Sequence, residues 1–320
     1  MSDAPLISPD TASPARGDSL GGTIPGTRKS AFALSIPSEM PIPVLIAAPH
    51  AGRQYPEYIT ALMRQPDYSK IRLEDRYVDH IASRAARMIG GCLLIAHAPR
   101  AMLDLNRAID DVDWSMVVGG APEGSGKKST NHRAKSGLGL VPRRLAGVGE
   151  IWREALSPDG LKQRVDHIHG PYHTALAQTL ATIRDRWGAA LLIDVHSMPP
   201  LKKSRPEERT AHFVIGDRFG GSADDRLVAS AIQMLGQEGA TVAHNRPYAG
   251  GYVLDRHARP ARNIHAIQIE ICRSLYLDTH LSRPTTRMDA VAQIVGRLAR
   301  QLGKQVADLG RESGTPLAAE

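Results

Sequence analysis

Ala190–Val195 reads ALLIDV and runs directly into His196. A run this short, apolar except for Asp194, is the pattern of a strand buried on both faces, as in parallel sheets covered by helices. A helical stretch, Leu161–Trp187, precedes it and is broken or bent at Gly170-Pro171, since proline cannot donate to the helix ladder. Similar apolar runs recur at Pro43–Pro49 (PVLIAAP), Cys92–Ala96 (CLLIA), Phe213–Ile215 and Ile264–Ile271 (IHAIQIEI). Between them, Glu74–Ile89 places Tyr77, Val78, Ile81, Ala85 and Met88 at helical spacing, and a closing amphipathic helix falls within Thr286–Leu309. The alternation predicts an α/β fold: a single three-layer domain on a mixed, mostly parallel sheet.

The chain of 320 residues is 42% apolar, enough for a sizeable core. Residues 1–30, rich in Ser, Pro and Gly, read as a flexible extension, residues 31–310 as the folded domain and residues 311–320 as a flexible tail. No apolar run reaches the roughly 20 residues of a membrane helix, and the N-terminus lacks a secretion-signal pattern, so a cytoplasmic protein is expected. Cys92 and Cys272 provide no disulfide framework and read as core thiols. A net charge of +7 raises the question of nucleic acid. Against it, aromatic residues make up 4%, too few for base stacking, and no helix-turn-helix or zinc-finger pattern occurs. The remaining basis for that reading is the basic loop with Lys127, Lys128, Arg133 and Lys135.

That loop, within Gly119–Pro142, also approaches a phosphate-binding spacing at Gly126-Lys127. Ala121 stands where the first glycine should be, Lys128 replaces the Ser or Thr that would hold magnesium, and no helix pattern follows. A mobile surface loop or active-site flap is the better reading.

Chemistry is concentrated where strands end. His50 follows Val44–Pro49, His196 follows Leu191–Val195, and Glu270 closes the alternation of Ile267, Ile269 and Ile271. In open α/β sheets ligands bind beyond the carboxyl ends of the strands, so these three side chains converge if their strands are parallel neighbours. Neutral imidazole is a zinc ligand, and a carboxylate serves either as a third ligand or as a general base. Asp75 and Glu74, expected in the first turn of the helix after His50, are both candidates for the missing ligand. Neither H-E-x-x-H nor C-x-x-C occurs, so spacing alone defines no metal motif.

Eight strings carry a resemblance. PHAGRQYP (Pro49–Pro56), EDRYVD (Glu74–Asp79), APRAMLDLNR (Ala98–Arg107), PYHTAL (Pro171–Leu176), DVHSMP (Asp194–Pro199), VIGDRFG (Val214–Gly220), NRPYAGGY (Asn245–Tyr252) and IQIEICRSLY (Ile267–Tyr276) occur in this order. Together they resemble the N-formylglutamate amidohydrolase family of zinc-dependent hydrolases. The resemblance implies a phosphorylase/hydrolase-like, zinc-exopeptidase-like fold with one catalytic Zn2+, another divalent metal being possible. It implies His50 and His196 as ligands, Asp75 as the carboxylate ligand with Glu74 as the alternative, and Glu270 as general base. It further implies N-formyl-L-glutamate as substrate and a place in histidine degradation. Leu73 departs from the commoner form, which carries a second acid there.

Further roles follow from the same strings. Asp194 lies on the same side of its strand as His196 and suits a hydrogen bond to a ligand histidine, with a strand-end cap or a further ligand as alternatives. An acidic substrate needs arginine forks, for which Arg107 is the first candidate and Arg273 the second, while Asn106 suits the substrate amide. His173 is either a wall of the site or a helix-packing residue. A related N-acyl amino acid or peptidoglycan-type zinc amidase is the rival within the class. The expected partner is thus a small anionic molecule, not nucleic acid or membrane, and oligomeric state is not legible.

Overall fold

Four apolar runs stand side by side at the centre of the molecule. The computed structural model of the chain describes residues 18–122, 132–202, 207 and 209–314. Its strands are β1 (Asp18–Gly21), β2 (Phe32–Ser35), β3 (Val44–Ala48), β4 (Cys92–Ala96), β5 (Arg144–Leu145), β6 (Gly149–Glu150), β7 (Ala190–Met198), β8 (Phe213–Gly216), β9 (Val242–His244) and β10 (Ile264–Cys272). The helices are α1 (Glu57–Leu62), α2 (Pro66–Leu73), α3 (Val78–Ile89), α4 (His132–Lys135), α5 (Pro158–Arg164), α6 (Gly170–Trp187), α7 (Asp225–Gln237), α8 (Tyr252–His257) and α9 (Met288–Gly314). One sheet has the order β1-β2-β4-β3-β7-β10-β8-β9, and β5-β6 form a separate hairpin. The run β4-β3-β7-β10 is parallel throughout, β1, β2 and β4 pair antiparallel at one side, and β8 pairs antiparallel to β10 at the other.

The period of two explains why these strands are apolar on both faces. Leu45, Ala47 and Leu192 join a core with Leu176, Leu180 and Ile183 of α6. Val44, Ile46, Leu191 and Ile193 join another with residues of α3, α7 and α9. A helical layer therefore covers each side of the sheet, giving the single α/β domain with its mixed, mostly parallel sheet. No helix among the described residues is long and apolar enough to cross a membrane.

Several boundaries differ from the sequence reading. Residues 18–30 of the expected extension are part of the fold: β1 pairs with β2 from Asp18 onward, and Ile24 is fully buried. Residues 311–314 of the expected tail belong to α9, which continues through Gly314. Residues 1–17 and 315–320, and residues 123–131 of the basic loop, lie outside the described residues. Glu74 and Asp75 do not sit in the first turn of α3. Tyr77 is left-handed (φ 60°) and starts the helix at Val78, leaving both acids in the preceding turn. There the Asp75 N–H donates to His50 O (2.9 Å), tying the turn to the end of β3.

The bend in the long helix is a π turn, Val165–His169, placed just before Gly170-Pro171. Pro171 has no N–H for the carbonyl of His167, four residues earlier. Thr23 N–H supplies that bond instead (2.9 Å), so the N-terminal segment satisfies the acceptor that the proline leaves open.

Candidate metal centre and its pocket

β3, β7 and β10 are adjacent and parallel, so their carboxyl ends open on one crevice. Glu270 pairs in register with His196. Both lie inside the last turns of strands that run to Cys272 and Met198, further than the apolar runs alone suggested. His50 leaves the end of β3 beside residues 97–98, and Gly52 makes this possible. A Cβ at position 52 would lie 2.0 Å from Ala98 O.

His50, Asp75 and His196 offer one ligand atom each, all within 4.8 Å of one another. All three side chains are buried. Asp75 Oδ2 lies 3.0 Å from His196 Nδ1 and 3.6 Å from His50 Nδ1. The far nitrogens are held by two further carboxylates: His50 Nε2 by Asp104 Oδ1 (2.6 Å) and His196 Nε2 by Asp194 Oδ2 (2.9 Å). A carboxylate accepting from Nε2–H fixes the tautomer and turns the Nδ1 lone pair of each ring toward Asp75. His50 Nδ1 is enclosed with no hydrogen-bond partner, which is costly for a buried acceptor.

The electrostatics of the cluster favour a bound cation. Burial alone would raise the Asp75 carboxyl, but the Nδ1–H that a charged His196 donates to Oδ2, with the positive charge of the two imidazoles, outweighs it and holds the group well below the ordinary range. Burial would lower His196, yet Asp194, Asp75 and Glu270 together favour its charged form and raise it well above the usual value. A site that draws a proton onto a buried imidazole carries excess negative charge. A divalent cation held by His50, Asp75 and His196 would neutralise that charge and give the unpartnered His50 Nδ1 a partner. The donor set, two imidazoles and one carboxylate at the edge of a pocket, suits such an ion.

Glu270 stands in the same pocket. Gln268, two residues earlier on the same face of β10, donates from Nε2 to Glu270 Oε1 (3.1 Å) and accepts from Asn106 Nδ2 (3.3 Å). Burial, reinforced by the negative charge of Asp75, pushes the Glu270 carboxyl up to about 7, against the pull of His196, Arg100 and Arg273. A carboxylic acid poised there can both take and return a proton near neutral pH.

The remaining sequence candidates sort as follows. Glu74 faces away from the histidines and pairs with Arg76 Nη1 (3.3 Å). Asp194 is the hydrogen-bond partner of His196. Asn106 is at the pocket wall, but its Oδ1 accepts from Val253 N–H (2.8 Å) at the start of α8. Gly251 passes so close that a Cβ would lie 2.5 Å from that Oδ1. Its amide is therefore built into the pocket's frame, which corrects the reading of a group turned to substrate. Arg273 is corrected likewise. Its guanidinium donates to Ser197 Oγ (3.1 Å), Ile71 O (3.1 Å), Glu74 O (2.7 Å) and Asp75 Oδ1 (3.2 Å), a buried clamp holding the turn that carries Asp75. Arg107 lines the pocket, with Nε donating to Leu138 O (3.0 Å) and Nη1 to Asn106 O (3.0 Å).

Sequence reasoning missed Asp104, Arg100, Gln268 and Arg72. Asp104 sits two residues before Asn106, and its Oδ1 also accepts from the Asn106 N–H (2.8 Å). Arg100 Nε donates to Asp104 Oδ2 (2.9 Å), and this charge, with His50, outweighs burial and holds Asp104 well below the carboxylate range. Arg72 and Arg100 join Arg107 and Arg273 in the pocket lining, around a volume of about 250 Å³.

His173 lies behind this frame rather than in the pocket. Its Nε2 donates to Leu105 O (3.0 Å), which leaves Nδ1 to accept from His257 Nε2 (2.8 Å). Burial, with neighbouring positive charge, pushes His173 down to about 2 and His257 down to about 3. Both are neutral in the fold, whereas the unfolded chain binds protons below its ordinary pKa of about 6.5. Stability is therefore complete above that value and falls as pH drops toward the folded pKa values. Each of these two imidazoles is expected to contribute a loss of about 2 kcal/mol between pH 7 and pH 5, read by urea unfolding as the difference in pH slope between the wild type and a variant that lacks one of them. His173→Gln is expected to flatten that slope; an unchanged slope would count against it.

The sequence model of the family described as N-formylglutamate amidohydrolase matches residues 42–277. The chain is 27% identical over 275 residues to an N-formylglutamate deformylase of Pseudomonas putida, covering 85% of this chain and 94% of that protein. It is 26% identical over 281 residues to the N-formylglutamate deformylase of Pseudomonas aeruginosa, covering 85% and 95%. The crystal structure of N-formylglutamate amidohydrolase from Ralstonia eutropha JMP134 superposes with a TM-score of 0.76 at 28% identity, over 88% of this chain and 99% of that one.

Proposed function

The chain belongs to the N-formylglutamate amidohydrolase family, and we propose that it hydrolyses N-formyl-L-glutamate to formate and L-glutamate at a centre formed by His50, Asp75, His196 and Glu270. The observation that carries this reading is the pair of Nδ1 atoms turned onto Asp75 by Asp104 and Asp194, beside a carboxyl poised near neutrality. His50, Asp75 and His196 would hold the ion, Zn2+ first among divalent metals. When bound, such an ion supplies Lewis-acid polarisation of a carbonyl and lowers the pKa of water toward about 7.

The protein's own groups account for the proton. Glu270 Oε takes a proton from the attacking water as its oxygen bonds to the formyl carbon. The same carboxyl returns the proton to the departing amine nitrogen as the C–N bond breaks. Gln268, braced by Asn106, keeps Oε1 oriented through both transfers. The arginines of the wall suit a dianionic substrate, with Arg72 and Arg107 as carboxylate-binding candidates; Arg107 is itself braced by Leu138 O, Asn106 O and Asp111, while Arg100 and Arg273 hold Asp104 and Asp75. A pocket of about 250 Å³ favours a small acyl amino acid over a peptidoglycan-type substrate.

Metal analysis combined with formate release from N-formyl-L-glutamate tests the proposal. About one divalent ion per chain is expected, with activity lost on chelation and restored by Zn2+. Undiminished activity in metal-free protein would sink the mechanism. Metal-loaded protein that cleaves other N-acyl amino acids but not this one would remove the substrate.

A further inference from the structure

A second cavity, of about 520 Å³, shares no lining residue with the pocket at the metal centre. It forms where Pro25 and Gly26 meet α1 and the stretch from Trp152 to Arg164. Tyr58 Oη donates to Pro25 O (2.8 Å), fastening the N-terminal segment over it. Leu62, Met116, Trp152 and Leu156 make the walls apolar. Among the described residues, Arg164 supplies the one cation in the lining, and it is 6% exposed.

The position of Arg164 is unusual for a buried arginine. Its Nη1 donates to Met102 O (2.9 Å), and its guanidinium carbon stands 5.8 Å from the Trp152 ring centre. No carboxylate among the described residues pairs with it, and burial pushes it down to about 10. Buried charges are ordinarily paired. Nε and Nη2 have no protein partner among the described residues and are absent from the fully enclosed orphan atoms, and Arg164 itself lines the cavity. That leaves a two-pronged donor of the shape a carboxylate accepts. Glu154, the one acid in the lining among the described residues and itself exposed, disfavours a second negative charge.

We propose that this cavity is a binding site for a small monocarboxylate with an apolar body, its carboxylate on Nε and Nη2 of Arg164 and its body against Trp152, Leu62, Met116 and Leu156. The site takes a monoanion, in contrast to the arginine-rich catalytic pocket, and does not depend on the reaction proposed there.

Calorimetric titration of the full chain with phenylacetate tests it, beside the neutral isostere phenylacetamide. Saturable binding of phenylacetate is expected, with phenylacetamide at least about tenfold weaker, the scale of one charge-assisted hydrogen bond. Arg164→Gln keeps a donor for Met102 O and is expected to weaken phenylacetate at least about tenfold, while Arg107→Gln in the catalytic pocket leaves it unchanged. Equal binding of acid and amide, no saturation by 10 mM, or loss with Arg107→Gln instead would overturn the site. If Arg164→Gln fails to fold, the acid–amide comparison on Arg107→Gln decides: the preference for phenylacetate is expected to persist there, and its loss would place the binding in the catalytic pocket and overturn the site.

Discussion

Glu270→Gln is expected to lower kcat by about 10²–10⁴-fold, the range for removing a positioned general acid–base, while the protein keeps its metal and its melting temperature. The substitution is nearly isosteric, and Glu270 is not one of the three side chains that face one another across the ligand cluster. Gln268 Nε2 donates to Glu270 Oε1 in the wild type, and the carbonyl oxygen of glutamine can accept the same bond, so the frame survives. What is lost is the basic oxygen that takes the proton from water. The pH profile separates this from a positioning defect. With Glu270 pushed up to about 7 by burial and Asp75, its ionised form is scarce below that value, so kcat/KM rises with pH until the carboxyl is ionised. A bound cation draws the carboxyl down, so the limb should have its midpoint at or below about 7 and be absent from the residual activity of the variant. A variant that retains the limb would move the base elsewhere.

The sheet was legible because its central strands are apolar on both faces, a pattern with few other uses in a chain of this composition. Three of the site's groups were legible for the same reason, since a polar residue at the end of such a run has one place to go. Asp104, Arg100 and Gln268 were not. Asp104 meets His50 across 54 positions of sequence, and nothing local marks an aspartate as the partner of a distant imidazole. Gln268 carried a signal that period two would have given, standing two residues before Glu270 on the same face. Arg273 misled because an arginine near a strand end looks the same whether its fork meets substrate or backbone carbonyls. Residues 18–30 read as loose because their composition is that of a linker. Their order comes from β1 pairing with β2 and from Thr23 capping His167, contacts the composition does not encode.

The choice between Asp75 and Glu74 gives the other large effect. Asp75→Asn is expected to weaken the metal by more than the roughly 10–100-fold typical of a change behind the ligands, and to take formate release to background. The fold should tolerate it. With its oxygen toward Arg273 Nη2, which lies 3.2 Å from Asp75 Oδ1, the new amide turns its NH₂ toward His196 and His50. There it gives His50 Nδ1 the hydrogen-bond donor it lacks in the wild type. The variant therefore exchanges an anionic ligand for a neutral donor at the same position, which separates metal loss from unfolding. Glu74→Gln serves as the control. Glu74 is equally buried, but its carboxylate pairs with Arg76, and burial raises it despite that partner. Neutralising it removes an ion pair and leaves the cluster untouched, so metal content and activity should stay near wild type, with a stability change of about 1 kcal/mol. Metal content by elemental analysis and melting temperature on both variants decide the matter. Metal lost from Glu74→Gln and kept by Asp75→Asn would reverse the assignment, because the two carboxylates are adjacent in sequence and only their side-chain directions tell them apart.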